Sequence, residues 1–197
     1  MRVALGPPCG DERGFSLLEV LIAAGLLVVG LVALAELCAA ASRAVRVARA
    51  NTLAAMFAAQ RMEDLRGLAW GYDTEGRAVA DTTTNLADRN EPGCPPTAGG
   101  TGTGLSLSPG GSLRADVDGW VDYLDASGCE VAGAGIARGA TYVRRWSVDR
   151  LPSNPEDGLV LRVMVAERRP GRNPDGDGTG NLPGYARLVG VRVRRRP

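Results

Sequence analysis

Histidine and lysine are both absent from the chain, so all 23 basic residues are arginine. Without histidine the chain lacks the commonest general base and metal ligand. The missing lysine reads as a bias toward GC-rich codons rather than as chemistry. An excess of one charge is missing too. The formal net charge is +1, so no global field directs the chain to nucleic acid. No catalytic constellation is visible, because Ser16 and Ser42 have no base near them in sequence. The Walker and dinucleotide glycine patterns are absent. The sequence therefore points away from an enzyme, and no cofactor is expected.

Cysteine is sparse. Cys9 lies close to the start, Cys38 near the end of an apolar run, and Cys94 and Cys129 in the polar remainder. If that remainder lies outside the cytoplasm, a Cys94–Cys129 disulfide is expected. It would close a loop of about 35 residues and contribute about 3–4 kcal/mol. The alternative is two free thiols. The spacing matches no zinc pattern.

What the chain does have is a long apolar run at residues 17–41, with Glu19 and Glu36 bracketing residues that carry no charge. A helix over residues 15–41 would be about 40 Å long, enough to cross a bilayer. An ordinary secretory signal has a shorter apolar region followed by a small-residue cleavage site, and this run is too long for that. A plain signal anchor is the simplest reading, but Glu19 argues against it. A carboxylate in a membrane helix costs about 2.5–3.5 kcal/mol near the bilayer centre unless it is paired.

The residues RGFSLLEVLIA, 13–23, resemble the signal of type IV prepilins and type II secretion pseudopilins. That motif is a glycine before the cut, a phenylalanine after it, a glutamate at the fifth mature position, then about 20 apolar residues. The resemblance implies that residues 1–14 are a leader, cleaved by prepilin peptidase between Gly14 and Phe15. Phe15 would then be N-methylated, and Glu19 would be the assembly carboxylate. Glu19 of one subunit would pair with the new amine of a neighbour and neutralise two charges in an apolar filament core. The net charge survives the cut, since Arg2, Arg13, Asp11 and Glu12 leave together.

Two features depart from the pattern. Arg43, Arg46 and Arg49 follow the span and outnumber Arg2 and Arg13 before it. The positive-inside rule alone favours the opposite orientation, but a cleavable site must face the cytoplasmic peptidase. Many major pilins carry proline where this chain has Glu36, which hints at a minor subunit. Glu36 is either an end-of-span residue reaching headgroups or a second contact between subunits.

Residues 42–70 continue the helix in amphipathic form, ended by Gly67 and Gly71. Leu53, Met56, Phe57, Met62 and Leu65 are expected to pack on a sheet, with Arg61, Glu63, Asp64 and Arg66 facing solvent. Gly25 and Gly30 are points of bending or close helix approach. Residues 71–118 read as an irregular connection, with a Pro- and Gly-rich stretch at 90–104. Residues 119–197 read as an antiparallel sheet, with strands at 119–124, 141–149, 159–167 and 186–195. One face gathers Tyr142, Trp146 and Val148, then Leu159, Leu161, Val163 and Val165, then Val189, Val191 and Val193. The opposite faces carry Arg144, Arg162, Arg192 and Arg194, read as solvated rather than as a DNA surface. Asn173, Asp175, Asp177 and Gly178 resemble a fragment of a calcium loop without its final glutamate, so a polar hairpin loop is the preferred reading and no metal is expected.

The expected fold is α+β: a long N-terminal helix whose C-terminal half packs on a four-stranded antiparallel sheet. The expected role is a minor pilin or pseudopilin incorporated into a type IV pilus or type II secretion pseudopilus. Residues 58–68 resemble minor subunits of the pilin V and pseudopilin I group, which start assembly at the filament tip. Implied partners are prepilin peptidase, other major and minor subunits, the inner-membrane assembly platform and lipid. The implied location is the inner membrane with the head in the periplasm, then the filament. The alternative is a pilus-tip adhesin or DNA-uptake receptor.

Overall fold

The computed structural model describes residues 16–86, 94, 102–131, 139–168 and 183–194. Gly14, Phe15 and the calcium-like stretch at 173–181 lie outside the described residues. The chain divides into two compact units, Met1–Val45 and Arg46–Pro197.

One helix, α1 (Leu17–Gly67), runs through both units. Its sequence is rich in alanine and leucine and holds no proline, which suits a long uninterrupted helix. In the first unit it presents its apolar side chains outward: Leu17 is 78% exposed and Val29 68%. In the second unit the pattern turns amphipathic. Ala54, Phe57, Ala58, Arg61, Met62 and Leu65 are buried, and their spacing of three and four residues makes one stripe on a helix.

That stripe packs on a four-stranded antiparallel sheet in the order β3-β4-β5-β6. The strands are β3 (Val121–Leu124), β4 (Tyr142–Leu151), β5 (Asn154–Glu167) and β6 (Tyr185–Val193). The long helix on an antiparallel sheet is the α+β architecture expected. Trp146, Val148, Leu161, Val163 and Val165 are buried beneath the helix with Leu65 and Met62. Each such side chain contributes about 1.5–3 kcal/mol through burial. Phe57 meets Tyr142 edge to face, ring centroids 5.2 Å apart.

Several expectations about faces and loops need correction. Arg61 is 3% exposed and Arg144 2% exposed, so neither is solvated. Strand periodicity explains Arg144, because residues 142, 144 and 146 alternate onto one face with Tyr142 and Trp146. Met56 falls off the helix stripe and is exposed. On β6 the valines Val189, Val191 and Val193 are exposed, and the arginine side turns inward. There Gly190 lets Met62 and Arg66 approach: an added Cβ would lie 3.1 Å from Met62 Sδ. Arg192 donates to the carbonyls of Leu65 and Leu68 at 3.2 and 2.6 Å, satisfying the end of the helix with a cation.

The stretch expected to be irregular contains a small hairpin, β1 (Trp70–Tyr72) with β2 (Ala78–Ala80). Its turn forms because Asp73 Oδ1 accepts from the amides of Glu75 and Arg77, and Gly76 takes a φ of 75°. The hairpin is tied to the sheet: Tyr72 Oη donates to Asp157 Oδ1 at 2.6 Å, and Arg194 stacks 3.7 Å above the Trp70 ring. Cys94 and Cys129 form a disulfide with a Cα–Cα distance of 5.4 Å. Beside it, Gly128 has a φ of 92° and presses on Phe57, whose Cε1 would lie 2.4 Å from an added Cβ.

Candidate assembly site

Glu19 stands in the first turn of α1, where a negative charge is favoured by the helix dipole. The amide of Val20 donates to the Ser16 carbonyl at 3.2 Å, so the turn is closed from Ser16 onward. Among the described residues, the helical neighbours of Glu19 at three and four residues are Ser16, Ile22 and Ala23. None is a cation, and among the described residues Glu19 makes no ion pair. Its carboxylate lies exposed beside Leu18, Ile22, Ala23 and Leu26.

Glu36 and Cys38 are exposed farther along the same surface. Ser42 Oγ donates back to the Cys38 carbonyl at 2.8 Å, a local bond that spares the hydroxyl from an apolar environment. The helix is long and apolar enough to cross a membrane. Large apolar side chains exposed from Leu17 to Val45 make a patch far beyond what a solvated monomer shows.

The head has a different polar centre, which sequence reasoning missed. Asp122 on β3 accepts from Arg61 Nη2 and, at 2.7 Å, from Arg144 Nη2. Arg144 also donates from Nε to Asp122 Oδ1 at 3.0 Å and from Nη1 to the Phe57 carbonyl at 3.2 Å. Arg61 lies 4.5 Å above the Trp146 ring. Burial would raise the Asp122 carboxyl, but the charges and hydrogen bonds of Arg144 and Arg61 outweigh it and hold the group below the ordinary carboxylate range. Burial, then the neighbouring Arg144 charge, lower the Arg61 guanidinium from its ordinary value. Such a cluster fixes helix against sheet, and its loss of one member leaves a buried charge alone. The signal was present: Arg61 completes the helix stripe, and Arg144 alternates with Tyr142 and Trp146.

No group of three or more cysteine, aspartate or glutamate side chains suited to a metal ion occurs among the described residues. Residues 17–45 offer an exposed apolar helix surface bearing the carboxylates Glu19 and Glu36, and the second unit has a packed core of its own.

Comparison with known families finds the prokaryotic N-terminal methylation motif at residues 10–35. No curated protein and no solved structure matches the chain. The motif is that of type IV prepilin-like proteins and supports the pilin and pseudopilin family without a subgroup. That family consists of structural subunits rather than enzymes. The motif and the apolar helix point to membrane anchoring, processing by prepilin peptidase and assembly with other pilins.

Proposed function

From a chain that carries the prepilin methylation motif at its N-terminus, we propose a minor pilin or pseudopilin that joins the complex starting a filament. In this reading, cleavage follows Gly14, and Phe15 becomes a methylated N-terminus. The head lies in the periplasm, and the disulfide Cys94–Cys129 suits that compartment. The observation that carries the reading is Glu19, an exposed carboxylate with no ion pair among the described residues, in the first turn of an uncovered apolar helix.

The physical logic follows from solvent. Before assembly, lipid covers residues 17–41. During assembly, neighbouring helices replace lipid, so the apolar surface never meets water. Lipid and helix are similarly apolar, so the apolar contact alone gives little register. A carboxylate moved into that bundle needs a cation, and the amine of a neighbouring subunit supplies one. The pair then sets the stagger between subunits. Glu36 in place of proline, and the likeness of residues 58–68 to the pilin V and pseudopilin I group, favour the minor role.

Glu19→Ala tests the register role. Membrane insertion of the full chain is expected to stay as in wild type, while its recovery in sheared or secreted filaments falls at least tenfold. Equal recovery of mutant and wild type would reject the role given to Glu19.

A further inference from the structure

Glu36 and Arg43 lie two helical turns apart in the exposed part of α1, and neither has a partner its own helix could provide. Positions three and four residues from Glu36 are Val32, Ala33, Ala39 and Ala40. Those around Arg43 are Ala39, Ala40, Arg46 and Val47. Helical ion pairs form at exactly these spacings, and here the slots hold no opposite charge. Among the described residues neither side chain enters an ion pair. Both are exposed.

The two charges share a face. A heptad spacing turns about 700°, which leaves them about 20° apart around the axis and about 10 Å apart along it. That axial gap is too long for a direct pair within one straight helix. It is suited to a pair between two helices that run parallel and staggered. If a neighbour is displaced so that its amine at residue 15 is level with Glu19, the stagger is about 6 Å. Glu36 of the displaced copy then lies level with residue 40 of the first. Arg43 of the first copy is about 4.5 Å beyond that level. The long stem of Arg43 spans that axial gap.

We propose that Glu36 and Arg43 form an ion pair between two adjacent copies of this chain, a second register contact beside the one at Glu19. It rests on the prepilin reading above. The occupant is a second copy because the complementary cation is present at the required level on this same helix. Membrane storage and assembly place different demands on Glu36. In lipid, residue 36 lies about 31 Å beyond residue 15, at the edge of a hydrocarbon core about 30 Å thick, where its carboxylate reaches headgroups. In a bundle the same carboxylate is flanked by the apolar side chains of other helices, and an unpaired charge there is strongly unfavourable. The pair removes that penalty only when a second copy is in place at the right stagger.

The test uses two differently tagged full-length chains, both with Cys38→Ala to remove the exposed native thiol, expressed together in cells that assemble filaments. One carries Glu36→Cys and the other Arg43→Cys. Oxidation is expected to give a mixed dimer carrying both tags, at least fivefold above either variant paired with itself. In the native-thiol background, Glu36→Arg and Arg43→Glu are each expected to lower incorporation at least fivefold, and their combination in one chain to restore it. A cross-link only to a different subunit, no cross-link at all, or no rescue by the exchanged pair would each overturn the proposal. The N-terminal mass of every variant is measured in parallel. Variants cut after Gly14 that assemble normally despite charge reversal sink this contact alone, whereas an uncut wild-type chain sinks the prepilin reading itself.

Discussion

Within α1, residues 17–45 and residues 46–67 treat charge in opposite ways. In the first stretch Glu19, Glu36 and Arg43 are exposed among apolar side chains, and the helix supplies none of them with a counter-charge. In the second, Arg61 is buried and paired through Nη2 with Asp122 from β3, beside Arg144 from β4. Arg61 thus finds a counter-charge within its own chain, whereas among the described residues Glu19, Glu36 and Arg43 enter no ion pair. The same difference holds for apolar surface. Leu65 is fully buried by the sheet, whereas Leu26 is 69% exposed. The uncovered stretch calls for apolar surroundings, whereas the buried stripe of the second stretch is covered by its own sheet.

Removing the central counter-charge should break the folded side of this contrast most severely. Asp122→Ala leaves Arg61 and Arg144 facing each other in the core and is expected to cost about 3–5 kcal/mol. Denaturant unfolding of the detergent-solubilised full chain, followed by tryptophan fluorescence, reads this loss, since Trp146 lies beside Arg61. The pH dependence has a definite sign. The Asp122 carboxyl is held below its ordinary value in the fold, so its contribution is fully present above about pH 4. It is lost as pH falls through the lowered value. Asp122→Asn should flatten the acid limb of the stability curve, and an unchanged limb would separate the cluster from acid stability.

A smaller effect is expected at Gly128, where the turn before Cys129 touches the helix. A φ of 92° and the nearness of Phe57 Cε1 both oppose a side chain. Gly128→Ala is expected to destabilise the head by about 1–3 kcal/mol while leaving membrane insertion unchanged. A variant that unfolds at the wild-type denaturant midpoint would show that the helix yields at Phe57.

Much of this architecture was legible in the sequence because its signals are periodic or positional. The motif at residues 13–23 marks the prepilin-like start, the apolar run marks the exposed half of the helix, and alternation marks the strands of the sheet. The errors share a cause. Residue type alone puts Arg61 and Arg144 in solvent although their spacing places them inside, and their meeting with Asp122, from the helix and from the neighbouring strand, makes burial tolerable. On β6 the valines suggested an inward face, yet the need to satisfy the helix end at Leu65 and Leu68 turned Arg192 inward. The hairpin at Trp70–Tyr72 escaped notice because its strands have only three residues each, too few for a pattern. Of the candidate site, Glu19 is singled out by its place in the motif, and the structure puts it in the first turn of the helix. The absence of any counter-charge for Glu36 and Arg43 also follows from helical spacing, but it acquires meaning only beside an exposed helix surface.

The most direct test of the prepilin account is the N-terminal mass of the chain recovered from native membranes. The account predicts a chain that begins at Phe15 and carries one added methyl group on its amine. A chain that retains residues 1–14, with the helix still seated in lipid, would contradict it.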